Sequence, residues 1–322
     1  MSSTYSGLAN AYAQGYYQFG KGELWLQQAT DFAKRAIALQ PEQAWGHKSL
    51  GFALYLSGQF VESIAAYHQA SKLAPNWGVA TAYRALAHLA TGDSILAYQA
   101  ARKAVEQSPT NPVTTAILGR CYLELGMVKQ AKSALEKALE YDPDYPLAQS
   151  YVAELALLTS DYPQANSILL SMTKRSPDWQ YSHWLTALLH LQTGETGPAL
   201  QSFEQAALLG GRYRLPAQVY LAVIKKDARQ LNDFYLQLNN QINLGNQWHE
   251  LVYSKALISL ANNNFAQAVT TFEQAINAGF SHEYRFDNLP LFSTLSAQPK
   301  FKQLLESLAR KNKQKRLKRV PG

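Results

Sequence analysis

One cysteine, Cys121, stands in 322 residues, so the chain can make no internal disulfide. It lies in an apolar helical pattern and reads as a packed, reduced thiol. No stretch is long and apolar enough for a membrane-spanning helix, and the opening MSSTYSGLANAY lacks the basic-then-apolar order of a secretory leader. A cytoplasmic protein is the expectation. Charge of one sign is scarce too. The net +7 is local, because Arg310, Lys311, Lys313, Lys315, Arg316, Lys318 and Arg319 follow the last acid, Glu306. Set those seven aside and 23 basic residues remain against 23 acidic ones. A neutral body with a basic tail excludes a broad nucleic-acid footprint.

Catalytic signatures are missing as well. There is no GxGxxG or GxxxxGK[ST] phosphate loop, no HExxH, and no cysteine pair to hold zinc. His183 and His190 are seven apart, on one helical face, with Asp178 nearby, but each falls at a packing position. Asp142 and Asp144 flank Pro143, where carboxylates serve turn chemistry. No catalytic residue, no metal site and no cofactor is expected, and the chain reads as a non-enzyme.

What is present is a period. Pro41, Pro75, Pro109, Pro143 and Pro177 stand 34 residues apart. Five residues before them come Ala36, Ala70, Ala104, Ala138 and Met172, then Ala206 at the next step. A third column holds Gly58, Gly92, Gly126, Ser160 and Gly194. Glycine supplies positive φ in a tight turn, and proline, lacking an N–H, closes one unit and admits the next. The unit is therefore a helix-turn-helix pair whose two helices approach closely at the alanine column.

Residues 112-145 carry Leu118, Gly119, Tyr122, Gly126, Ala131, Leu135, Ala138 and Pro143 in a pattern that resembles the tetratricopeptide repeat. The resemblance implies an all-α fold, a right-handed superhelical solenoid of tandem helix-turn-helix repeats with a C-terminal capping helix. Repeats are expected near 10-43, 44-77, 78-111, 112-145, 146-179 and 180-213, a degenerate one at 214-248, another at 249-282, and a cap at 283-309. Residues 1-9 are expected to fray and 310-322 to be a disordered basic tail. Arg84 stands where the repeat wants Leu, so the second regular pair should pack imperfectly. No glycine separates the helices of the degenerate pair, which makes the turn at Lys225 to Asp227 unusual. The first helix is apolar on most of its circumference, so a further domain or a second copy of the chain, making a homodimer, is expected to cover it.

In this family a peptide is held in the groove lined by the first helix of each pair. Carried over by position, the resemblance implies Trp45, Lys48, Phe52, Tyr55, Leu86, Arg120, Leu123, Glu154, Tyr181, Trp184 and Leu188 as groove residues. Chaperone-binding members clamp a terminal carboxylate with lysines, an asparagine and an arginine; only Lys48 matches, and Phe52 stands where the first asparagine would be. The asparagine ladder of sugar-transferase members is replaced by Ser49, Tyr83, Ile117, Tyr151 and Leu185. The groove therefore suits an apolar or amphipathic segment. The same residues equally suit packing against neighbouring first helices or against the chain's own carboxy-terminal elements.

The two ends, YSGLANAYAQGYYQFG and FDNLPLFSTLSAQPKFKQLLESL, are similar to the repeat regions that follow the effector domain in bacterial CadC-type regulators, class III adenylate cyclases and some serine/threonine kinases. That likeness implies a protein-interaction scaffold in signalling or complex assembly, with a protein or peptide partner. The alternative is nucleic acid or an anionic membrane bound through the seven tail residues, and the simplest reading of the tail is solubilisation.

Overall fold

The computed structural model describes residues 1–286 and 291–317, the side chains of Leu291, Arg316 and Leu317 excepted. Those residues contain helices and no strand. The chain divides into two units, Met1–Val152 and Ala153–Gly322. The first holds four helix pairs: α1 (Ser2–Phe19) with α2 (Glu23–Leu39), α3 (Ala44–Leu56) with α4 (Phe60–Leu73), α5 (Gly78–Ala90) with α6 (Ser94–Gln107), and α7 (Pro112–Glu124) with α8 (Val128–Tyr141). The division falls within α9 (Pro146–Leu158). The second unit continues with α10 (Tyr162–Arg175), α11 (Gln180–Gln192), α12 (Thr196–Leu208), α13 (Arg214–Lys225), α14 (Ala228–Asn243), α15 (His249–Ala261) and α16 (Phe265–Asn277). A 3₁₀ turn at Glu283–Phe286, α17 (Leu291–Leu295) and α18 (Pro299–Leu317) close it. In each unit the two helices of a pair pack together and first helices stack on first helices, as α1 on α3, α5 on α7 and α13 on α15. This is an all-α helical-repeat solenoid.

Each sequence column has one physical cause. Gly58, Gly92, Gly126 and Gly194 have φ between 67° and 83°, the left-handed turn within a pair. Ser160 holds the same conformation at φ 58° with a side chain that disfavours it. The unusual turn of the degenerate pair is Lys226, at φ 55°, and the last pair uses Asn263, at φ 58°. The alanine column is fully buried from Ala36 to Ala138 and again at Ala206, with Met172 1% exposed. Close approach shows at Gly119, where a Cβ would lie 2.7 Å from the Leu135 side chain.

The proline column acquires partners of its own. His47 Nε2 lies 2.8 Å from Pro41 O, Gln149 Nε2 donates to Pro143 O at 2.8 Å, and His183 Nε2 lies 2.7 Å from Pro177 O. A side chain six residues on thus satisfies a carbonyl left open at the helix end. His183 is engaged there, and His190 lies 2.5 Å from Glu195 instead. Cys121 is fully buried, and burial pushes its thiol well above the usual range.

Both chain ends depart from expectation. Residues 1–9 are helical from Ser2, because Ser2 Oγ donates to Ala36 O at 3.0 Å and lies 3.1 Å from Gln43 Oε1. The apolar circumference of α1 is largely taken up within the unit: Ala9, Ala13 and Tyr16 are buried, and Tyr12 packs on Trp25 and Phe32. Leu8, Phe19 and Leu24 stay exposed. At the other end, residues expected to be disordered from Arg310 onward continue α18 to Leu317. Lys311 Nζ donates to Ile276 O and Asn312 Nδ2 to Ser281 O and Glu283 Oε1, at 2.8 to 2.9 Å, which ties the helix to the last pair. Lys318 and Arg319 lie outside the described residues. No helix among the described residues is long and apolar enough to cross a membrane.

Candidate peptide-binding grooves

In the first unit the first helices present aromatic side chains around one cation. Lys48, on α3, is 7% exposed, and its Nζ donates to Asn10 Oδ1 on α1 at 2.7 Å. The ammonium stands 5.4 Å from the Phe52 ring and 5.7 Å from that of Tyr83 on α5. Burial lowers its pKa to about 8, and among the described residues no carboxylate pairs with it. Phe52 is buried, while Tyr17, Tyr55 and Tyr83 are half-buried and pack on the same core. Burial pushes the Tyr83 phenol up to about 12. Tyr145 is also held high by burial, with Tyr83 and Tyr17 close by.

The remaining first-unit positions are less uniform. Trp45 is 57% exposed, with its ring 4.4 Å from that of Trp77. Leu86 and Leu123 are buried. Arg120 lies 3.6 Å from Glu124 and 6.0 Å from the Tyr151 ring.

In the second unit the corresponding face is filled by the chain itself. Trp184 and Leu188 are buried on α11. Tyr181 donates its hydroxyl to Glu154 Oε2 at 3.0 Å, and Glu154 is 2% exposed. Against them lies the stretch that follows α16. Arg285 is 2% exposed and donates to both oxygens of Glu250, at 2.5 and 2.7 Å, and to the Tyr220 hydroxyl at 2.8 Å. Its guanidinium is 4.4 Å from the Tyr253 ring and 5.4 Å from that of Trp184. Burial alone would draw its pKa down, but Glu250 and Tyr220 hold it well above the usual value. Two main-chain carbonyls are also held: Gln192 Nε2 donates to Tyr284 O at 2.8 Å and the Tyr253 hydroxyl to Arg285 O at 3.0 Å.

The family resemblance implied Lys48, Glu154 and Trp184 as groove residues but gave no sign of Asn10, Tyr220, Glu250 or Arg285. The period stops before residue 285, and a lone arginine between aromatics carries no spacing signal.

Stacked helix pairs with side chains converging on the first-helix face define a helical-repeat solenoid. Residues 88–155 match the tetratricopeptide repeat family. That stretch is similar to a tetratricopeptide repeat, and solved structures share the fold of the chain. The protein is similar to a chain of the APC/C hetero-tetramer Cut9–Hcn1, with a TM-score of 0.61 and 15% identity over 99% of this chain and 62% of that one. Yeast Tom70 follows, at 0.52 and 16% over 96% and 65%. The human IFIT1 dimer with m7Gppp-AAAA gives 0.53 and 14% over 80% and 68%. The chain thus spans roughly two thirds of the length of these structures. No curated protein matches its sequence.

Proposed function

We propose that the chain is a non-catalytic interaction scaffold that takes an amphipathic peptide segment in the groove of its first unit. Apolar side chains of the segment lie against Tyr17, Tyr55 and Tyr83, and a carboxylate meets Lys48. The observation that carries this reading is the Lys48 ammonium, nearly buried between two aromatic rings and, among the described residues, answered by a neutral amide and no carboxylate. A buried cation without a counter-charge is costly, and a ligand anion removes the cost. Tyrosines suit such a surface because each offers a rigid apolar body and a polar tip. The likeness of the chain's ends to repeat regions of bacterial regulators supports a role in signalling or complex assembly.

Selection from a displayed peptide library, followed by fluorescence anisotropy, tests the reading. Selected peptides should pair an acidic residue with apolar neighbours, and Lys48→Met should weaken them at least about tenfold. Peptides that bind Lys48→Met and the unaltered chain equally would remove Lys48 from the site. Phe52 and Trp184 are unsuited to this test, because both are buried and their truncation acts on the fold.

A second reading rests on α18, which carries Lys302, Arg310 and Lys313 exposed along an ordered helix. Such a row suits an anionic polymer or surface, with affinity that falls as salt rises. The combined variant Lys302→Ala, Arg310→Ala and Lys313→Ala should then abolish binding to heparin at low salt, and retention of binding would exclude this row as its source.

A further inference from the structure

Within the second unit, residues of α14, α15 and α16 and of the turn between the last two line an open cavity of about 320 Å³, at the small end of the range for small-molecule sites. Its apolar lining comes from Ile258 on α15 and Tyr235 on α14. Lys255 Nζ stands 5.2 Å from the centre of the tyrosine ring and steadies it from outside the lining. The rest of the lining is neutral and hydrogen-bonding: the hydroxyl of Ser259 and four amides, Asn232, Asn262, Asn264 and Gln267. Among the described residues no charged side chain lines the cavity.

Two of these amides have no task in the fold. In four other pairs the residue before the left-handed turn is Ser57, Thr91, Thr159 or Thr193, and each hydroxyl donates to a carbonyl of its own helix at 2.8 to 3.2 Å. In the last pair the turn residue is Asn263 and the residue before it is Asn262, whose amide is exposed at the cavity and makes no hydrogen bond among the described residues. Asn232, exposed on α14, makes none either. The other two amides are half engaged. Asn264 Oδ1 accepts from Gln267 N at 3.2 Å as the cap of α16, and Gln267 Nε2 donates to Thr271 Oγ1 at 3.1 Å. What remains is the NH₂ of Asn264 and the carbonyl of Gln267, so the cavity offers donors and acceptors together.

We propose that this cavity binds a neutral pyranose sugar, its C–H face against Tyr235 and Ile258 and its hydroxyls held by Asn232, Asn262 and Asn264. A side-chain amide carries a donor and an acceptor side by side, the spacing that two neighbouring ring hydroxyls answer. Tyrosine supplies the flat apolar surface that the C–H face of such a ring needs. A nucleobase asks for a different site, because its hydrogen bonds lie in one plane and its two flat faces each want an apolar wall, whereas Tyr235 is the one aromatic side chain among the lining residues described. An ionised ligand would meet no counter-charge in the lining. This does not depend on the first-unit groove, which lies on other helices.

Saturation-transfer difference NMR on the full chain, with the methyl pyranosides of glucose, galactose, mannose and N-acetylglucosamine, tests it. At least one glycoside should show transfer to its ring protons. Asn262→Thr restores the residue type of the other pairs and should keep the fold, yet weaken that glycoside at least about tenfold. Asn232→Ala, at an exposed position of α14, should weaken it likewise. A tetrasaccharide of the preferred sugar separates two sources of the ligand: tighter binding than the methyl glycoside marks a glycan chain, and equal binding a free sugar. The proposal is overturned if no glycoside shows transfer, if the folded variants bind as the unaltered chain does, or if adenosine binds and the glycosides do not.

Discussion

Lys48 Nζ donates to Asn10 Oδ1 at 2.7 Å, so a nearly buried ammonium is held across two helix pairs by an uncharged acceptor. Burial lowers its pKa from 10.5 to about 8. Between those values the unfolded chain binds a proton that the folded chain does not, so stability rises with pH across that window. The contribution is complete above 10.5 and lost as pH falls through 8. Lys48→Met removes the titration and keeps the side-chain volume. The variant should be more stable than the unaltered chain at pH 7 by about 3 kcal/mol, the shift from 10.5 to about 8 taken at about 1.4 kcal/mol per pH unit. That advantage should shrink as pH rises from 8 and vanish above 10.5. Urea unfolding at the two pH values measures it, and an advantage independent of pH would mean that Lys48 is not buried as a cation. Stability gained together with affinity lost would be the pattern of a site held ready for an anion.

Ser160 occupies a turn that glycine fills in four other pairs, with φ at 58°. The left-handed conformation costs an ordinary residue about 1 to 2 kcal/mol, and glycine avoids most of it at the expense of greater freedom when unfolded. Ser160→Gly should therefore raise stability by about 0.5 to 1 kcal/mol, while Gly126→Ser should lower it. Thermal unfolding of both variants checks the pair of signs. A Ser160→Gly chain no more stable than the original would show that the serine side chain compensates its own strain.

Why some of this was legible in sequence and some was not follows from range. Turn glycines, the alanine column and the prolines are local demands that recur every 34 residues, so the pairs could be read directly. Lys48 was implied as a groove residue by the family resemblance alone. Its lack of a counter-ion depends on Asn10, 38 residues away on a helix whose first turn was expected to fray. Arg285 has the same character: Glu250 is 35 residues from it and Tyr220 is 65. The helical extension to Leu317 rests on Lys311 and Asn312 reaching back to residues 276, 281 and 283, contacts that a basic, low-hydropathy tail does not advertise.

Arg84 is the place where a repeat column is broken by a charge. The residue sits where the pattern wants Leu, with Nη1 2.8 Å from His68 Nδ1 and Nε buried without a partner. A buried unpaired donor costs about 1 to 3 kcal/mol. Arg84→Leu should recover part of that, roughly 1 kcal/mol in urea unfolding. His68, whose pKa is lowered by its surroundings and then by Arg84, should titrate at higher pH in the variant. Proton resonances of the imidazole report this separately, so a gain in stability with no shift at His68 would point to packing alone.

Arg285 and Glu250 should behave as one unit in a mutant cycle. Each is buried, and removing either leaves the other charge without its partner, a loss of about 3 to 5 kcal/mol. Removing both as Arg285→Met with Glu250→Leu leaves no orphan charge, so the double variant should lose clearly less than the sum of the singles, with a coupling of about 1 to 3 kcal/mol. Tyr220 and Tyr253 would lose their cation but keep their packing, which sets a floor under the loss. Additive losses would mean that the ion pair contributes little beyond the space it fills. The aromatic wall, rather than Glu250, would then be what holds residues 280–286 on the second unit.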